Sequence, residues 1–138
     1  MIGVLGTSHR CADLSTREAI AKALGTCDEN LRKGSVFLLT CNRAEWYFCT
    51  STPAKTHQEM VASIREAVGH DALCHLYTFF GLECFHHLGK VVSGLDSLFV
   101  GETEIQGQVR AAYEAAREQQ ALPKGYREFE SLSLRQLL

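Results

Sequence analysis

The chain has 138 residues, 46% hydrophobic and 22% charged, with a formal net charge of −2. This is globular composition, which excludes a disordered or fibrous chain, and at this length roughly two thirds of the unfolded surface can be buried without disulfides or metals. The near-neutral charge lacks the electrostatic footprint of a nonspecific DNA binder, and no apolar run approaches the about 20 residues that a membrane helix needs.

Ile2–Ser8, IGVLGTS, reads as a strand. The opening residues lack the basic, apolar and small-residue pattern of a signal peptide, so a cytosolic protein is expected. Ser15-Thr16-Arg17-Glu18 has the S-x-x-E form of a capping box. Ala19, Ile20, Ala23 and Leu24 follow at helical spacing, predicting a helix from about Ser15. Gly25 and Gly34 bracket a loop. Val36–Thr40 and Ala44–Thr50 are predicted strands, joined by Cys41-Asn42-Arg43 as a tight polar connection, with Pro53 ending the unit. A helix is predicted over Lys55–Val68 with Gly69 as its stop, and a fourth strand over Leu73–Phe80. Further helices are predicted over Cys84–Val92 and Glu102–Gln120, the latter with Ile105, Val109, Ala112 and Ala116 on one face. Tyr126–Leu138 has helical spacing and stops without a cap on Leu137-Leu138, as expected of a cut chain. The order β-α-β-β-α-β followed by helices predicts an α+β fold, a ferredoxin-like split βαβ antiparallel sheet with appended helices.

The six cysteines include no C-x-x-C pair, so no metal site is expected and most thiols are expected to be small core residues. Neither glycine-rich phosphate-loop pattern occurs, so no nucleotide site is expected in this chain. Cys41 leaves a strand and enters a polar turn with Arg43 two residues on. A nearby guanidinium lowers a thiol's pKa and favours the nucleophilic thiolate. A plain strand-end cysteine beside a solvated arginine fits the same residues. His86 and His87 cannot share one helix face, so at most one enters a given pocket. His9, after the first strand, is a second candidate base. Gly94-Leu95-Asp96-Ser97 and Gly101-Glu102-Thr103-Glu104 flank Leu98–Val100, which read as a turn, a buried bridge and acids at a helix N-terminus.

Three blocks together resemble the N-terminal catalytic domain of the glutamyl-tRNA reductase family. Gly6-Thr7-Ser8-His9-Arg10-Cys11-Ala12 with Arg17-Glu18 is similar to the family's G-x-N-H-K-T-A-P…R-E opening. Leu39-Thr40-Cys41-Asn42-Arg43-Ala44-Glu45 resembles its S-T-C-N-R-T-E signature. His87-Leu88, Val91, Gly94-Leu95-Asp96-Ser97, Gly101-Glu102, Ile105 and Gly107-Gln108-Val109 resemble its H-L-x-x-V-x-x-G-L-[DE]-S…G-E-x-Q-I-x-x-Q block. The resemblance implies a catalytic, glutamate-recognising domain over residues 1–122 and, over 123–138, the start of a helix toward further domains.

It also implies that the Cys41 thiolate attacks the ester of glutamyl-tRNA to form a thioester. NADPH then reduces the thioester to glutamate-1-semialdehyde, at the entry to tetrapyrrole (porphyrin) synthesis. His87 is implied as an acid, base or orienting group. Thr40, Asn42, Arg43, Ser97, Glu102, Thr103, Glu104 and Gln108 are implied to surround the substrate with Cys41, Arg43 pairing with its carboxylate. The family's NADPH domain and dimerisation helix are not in this sequence, so the chain alone is expected to stop at acyl transfer, and the homodimer is expected of the complete enzyme. Asp13 stands where the family has proline, Ser8 where it has asparagine, and Glu104 where it has a neutral amide. The competing readings are a non-catalytic module that binds tRNA or a protein, and a generic thiol enzyme using Cys41 and His87.

Overall fold

The computed structural model describes residues 1–101 and 103–119. The predicted segment 123–138, its helical stretch Tyr126–Leu138 and the substrate-pocket candidate Glu102 lie outside the described residues. Strands β1 (Ile2–Ser8), β2 (Ser35–Leu39), β3 (Arg43–Cys49) and β4 (Tyr77–Phe80) form one antiparallel sheet in the order β2-β3-β1-β4. With helices α1 (Leu14–Gly25) and α3 (Pro53–Val68) as the crossovers, this is the α+β, ferredoxin-like arrangement expected. A four-residue helix α2 (Glu29–Arg32) interrupts the loop before β2.

Helices cover both faces of the sheet, and side-chain alternation along each strand sorts residues between them. Leu5, Ala44, Trp46 and Phe48 pack with Ile20, Ala23 and Leu24 of α1 and with Met60 and Ile64 of α3. Val4, Val36, Leu38 and Tyr47 pack with Cys84, Leu88, Val91 and Val92 of α4 (Gly81–Val92) and with Ile105 and Val109 of α5 (Glu104–Gln119). Burying each such large apolar side chain stabilises the fold by about 1.5–3 kcal/mol.

Three predicted details differ. Helix α1 is capped by Asp13, whose Oδ1 accepts from the Thr16 amide at 2.8 Å, rather than by a box starting at Ser15. A carboxylate at the N-cap satisfies one of the otherwise unpaired amides, so the helix begins earlier. The predicted strand Leu73–Phe80 is a strand only from Tyr77. His70–His75 form a 3₁₀ turn that starts from Gly69, a residue at φ +103°. The apolar run Leu98–Val100, expected to be buried, is exposed, Phe99 by 75%.

Two strand glycines are required by what covers them. A Cβ on Gly6 would lie 2.7 Å from both Ala44 O and Glu45 Cγ, and one on Gly3 would lie 2.6 Å from the Phe48 ring. Gly6 is paired with Glu45 on one side and Tyr77 on the other. Its missing side chain leaves room on this face for the polar groups described next.

Candidate active site

Arg43, Glu45 and Tyr47 alternate onto the sheet face that α4 covers. Arg43 is 1% exposed and Glu45 is fully buried. Arg43 Nη1 donates to Glu45 Oε1 at 3.0 Å. His87 Nε2 lies 2.6 Å from the same oxygen, and the Tyr77 hydroxyl also donates to it. The Tyr47 hydroxyl donates to Oε2 at 2.8 Å. Burial pushes the Glu45 carboxyl up, but the His87 hydrogen bond and the Arg43 charge outweigh it and hold the group below its ordinary range. Burial, then the Glu45 charge, raises both tyrosines.

Helical spacing explains which histidine enters. Cys84, Leu88, Val91 and Val92 form the buried stripe of α4. His87, three residues after Cys84 and four before Val91, lies along that stripe, while His86 is exposed. The loop after α4 turns at Gly94, at φ +72°, and brings Asp96 to the start of β3. Arg43 Nη2 donates to Asp96 O at 2.7 Å and to its Oδ2 at 3.1 Å. Arg10 Nε pairs with Asp96 Oδ1 at 3.2 Å. Ser97, next in this loop, is buried.

Cys41 stands at the exposed tip of the β2–β3 connection. Thr40 organises that turn. Its amide donates to Arg43 O at 2.9 Å, and its hydroxyl accepts from the Asn42 and Arg43 amides at 3.2 Å each. The His9 amide donates to Asn42 O at 2.8 Å, tying the turn to the end of β1. The guanidinium that reaches the Cys41 backbone is that of Arg17 on α1. Its Nε and Nη2 donate to Cys41 O at 3.2 and 3.0 Å. The side chain of Arg43, which the sequence offers either as the cation that activates the thiol or as a solvated neighbour, instead turns under the sheet face to Glu45 and Asp96.

The structure thus brings Thr40, Cys41, Asn42 and Arg43 to one end of the sheet, with Ser97 in the loop that contacts Arg43 and His87 on Glu45. Thr103 and Glu104 are exposed at the start of α5, and Gln108 is half-buried one turn on. Glu104 lies in the first helical turn, where a carboxylate complements the macrodipole. Glu45, Tyr47, Tyr77, Asp96 and Arg17 were not singled out as site residues from sequence. The alternation of charge with aromatics in β3 is the one signal that marks Glu45 as inward-facing.

Half of the six thiols are exposed, against the expectation that most are core residues. Cys27 and Cys84 are buried, whereas Cys11, Cys41 and Cys74 are exposed. Among the described residues no helix is long and apolar enough to cross a membrane, and no group of three His, Cys, Asp or Glu side chains could hold a metal ion. A dinucleotide needs glycines that let backbone approach its pyrophosphate. Gly3 and Gly6 are instead covered by Phe48, Phe80, Ala44 and Glu45, so these residues do not fit NADPH.

The family model for the N-terminal domain of glutamyl-tRNA(Glu) reductase matches residues 5–130. The glutamyl-tRNA reductase of Chlamydia caviae is 41% identical over 132 residues, covering 89% of this chain and 38% of that protein. The glutamyl-tRNA reductase of Deinococcus radiodurans is 39% identical over 121 residues, covering 83% of this chain and 33% of its own length. The solved glutamyl-tRNA reductase of Methanopyrus kandleri superposes with a TM-score of 0.69 at 30% identity, covering 89% of this chain and 30% of that one. The chain therefore spans little more than a third of the curated relatives it matches. By sequence along nearly its whole length, and by fold, this chain belongs to the glutamyl-tRNA reductase family and corresponds to its N-terminal domain.

Proposed function

We propose that Cys41 is the acyl acceptor for glutamyl-tRNA. The supporting observation is the placement of an exposed thiol on a turn braced by Thr40, His9 and Arg17 at the edge of a buried ionic cluster. The thiol gives up its proton, and the thiolate sulfur attacks the ester carbonyl carbon. A sulfur–carbon bond forms, and the ester carbon–oxygen bond breaks. The electron pair leaves on the ribose oxygen of the tRNA, which takes up a proton. The product is a glutamyl thioester on Cys41 and free tRNA.

His87 serves as the acid, base or orienting group. Its Nε2 faces a buried carboxylate, the arrangement by which a third residue fixes an imidazole's orientation. Thr40, Asn42, Ser97 and Gln108 line the substrate site, and Arg43 pairs with the free carboxylate of the glutamyl group. Arg43 is already bonded to Glu45 and Asp96, so the substrate carboxylate takes the position of the Asp96 side chain, the more exposed of the two partners. Glu102 is assigned to the same site from sequence alone. Thr103 and Glu104, both exposed, complete the proposed substrate contacts.

In a full-length enzyme of this family, NADPH would supply the hydride that turns the thioester into glutamate-1-semialdehyde for tetrapyrrole synthesis, and that enzyme would be a homodimer.

The test is mass spectrometry of the chain incubated with glutamyl-tRNA. A glutamyl adduct on Cys41, absent in Cys41→Ser with its fold intact by circular dichroism, supports acyl transfer. No adduct and no Cys41-dependent release of glutamate supports a non-catalytic domain.

A further inference from the structure

We propose that Arg17 is a positioning residue for Cys41, the strut that fixes the main chain carrying the thiol. Its consequence for catalysis rests on the reading of Cys41 as nucleophile; the contact itself rests on geometry alone. Arg17 Nε and Nη2 close on one oxygen, that of Cys41, and Nη1 donates to Ala12 O at 2.7 Å. One planar guanidinium therefore joins two segments, the β2–β3 turn and the loop after β1. A guanidinium presents its donors in a fixed fork, so these contacts set an orientation as well as a distance.

The strut has a firm base. Arg17 shares the inward side of α1 with Ile20 and Leu24, at spacings of three and seven residues. Both leucine and isoleucine are fully buried against the sheet, and Asp13 caps the helix one turn before. Position is thus passed from the apolar core to α1, from α1 to Arg17, and from Arg17 to the peptide of Cys41. The remaining braces act on neighbouring residues: the Thr40 hydroxyl bonds the amides of Asn42 and Arg43, and the His9 amide bonds Asn42 O. Arg17 alone among these holds the carbonyl of the cysteine itself. Its bonds reach neither the Glu45 cluster nor Asp96.

Misplacing a reacting group by about 1 Å can cost about 100-fold in rate. A small alkylating reagent has no such demand, because it approaches the thiol from any open direction. The experiment compares the 138-residue chain with its Arg17→Met and Arg17→Lys variants. Three quantities are read: glutamyl transfer from glutamyl-tRNA to Cys41, alkylation of Cys41 by iodoacetamide, and local amide exchange. For Arg17→Met we expect transfer to fall by about 100-fold with alkylation unchanged. Faster exchange should be confined to residues 40–43, the contacting His9 amide and the loop around Ala12. Arg17→Lys, which keeps the charge but not the fork, should fall between.

Transfer by Arg17→Met at the rate of the unaltered chain overturns the proposal. So does an equal fall in alkylation and transfer, which assigns Arg17 to thiol ionisation. Faster exchange throughout β1 and β3 also overturns it, by assigning Arg17 to general stability. If the unaltered chain takes no glutamyl group, the nucleophile reading fails by itself. Exchange at residues 40–43 then decides the strut: faster in Arg17→Met supports it, and unchanged overturns it.

Discussion

Glu45 Oε1 and His87 Nε2 lie 2.6 Å apart, although 42 residues separate them in the chain. The pair joins β3 to α4 inside the protein, where an isolated carboxylate is costly unless paired and hydrogen-bonded. Arg43, Tyr77 and Tyr47 complete the pairing of Glu45. The cluster is a buried polar network whose cost is offset only while its members stay in place.

Glu45→Gln should therefore destabilise the chain at neutral pH by about 3–5 kcal/mol, the usual consequence of removing one partner from a buried pair. The pH dependence has a definite sign. The folded-state pKa of Glu45 is held below the ordinary 4.5, so the native state binds fewer protons than the unfolded state in acid. Its contribution is present above about pH 4.5 and is lost as pH falls through the folded value. Urea unfolding of both proteins should show the difference narrowing as pH is lowered below 4.5. A difference that stays constant over that range would show that ionised Glu45 is not what stabilises the fold.

Gly6→Ala should lower the thermal midpoint and cost about 1–3 kcal/mol, as inserting a methyl group into a packed interior does. The new Cβ would meet backbone at Ala44 O, which cannot swing aside, as well as Glu45 Cγ. Gly25→Ala, where a Cβ has open space, is the matched control. Equal midpoints for the two variants would remove the argument that Gly6 makes room for Glu45.

Much of this arrangement was legible in the sequence, and the exceptions have physical causes. The β1 run Ile2–Ser8 matches the observed strand because its apolar character has sharp boundaries. Helical spacing over Cys84–Val92 predicts that at most one of His86 and His87 enters a given pocket, and the buried stripe Cys84, Leu88, Val91 and Val92 makes it His87. The helix cap was misplaced because Ser15 and Asp13 both offer side-chain oxygens, and only the three-dimensional entry of the chain selects between them. The turn motif identified Cys41, but local spacing suggested Arg43 as its cation. Strand alternation sends Arg43 to the opposite task, and Arg17 arrives from 24 residues away. Contacts of that range have no periodicity to betray them.

Alkylation of the native chain should label Cys11, Cys41 and Cys74 readily and spare Cys27 and Cys84. The first three are exposed, and the last two are buried. Burial, then the Glu45 charge, pushes the Cys84 thiol up to about 12, and burial raises Cys27. Thiolate is the reactive form, so burial suppresses reaction twice, by access and by ionisation. Peptide mapping after a short iodoacetamide pulse checks this. Native labelling of Cys84 as fast as Cys74 would contradict the packing of α4 on the sheet.

Asp96 provides the most direct test of how the substrate carboxylate is received. Its side chain lies between Arg10 and Arg43, at 3.2 and 3.1 Å. It is 21% exposed, against 0% for Glu45, so it is the partner that an entering carboxylate can displace. The Asp96 carbonyl also accepts from Arg43 at 2.7 Å, so exchange of the side chain leaves the loop attached. If the glutamyl carboxylate takes this position, Asp96 competes with the substrate for the same guanidinium. Asp96→Asn weakens the competitor by removing its charge, and hydrogen bonds to charged groups are worth about 1.5–3 kcal/mol against about 1 for neutral ones. Free glutamate should therefore raise the melting temperature of Asp96→Asn more than that of the unaltered chain, and glutamine should not reproduce the effect. Glutamyl transfer to Cys41 in the variant should saturate at a lower concentration of glutamyl-tRNA. A variant whose response to glutamate equals that of the unaltered chain would place the carboxylate elsewhere, and the exposed Arg10 would be the next guanidinium to test.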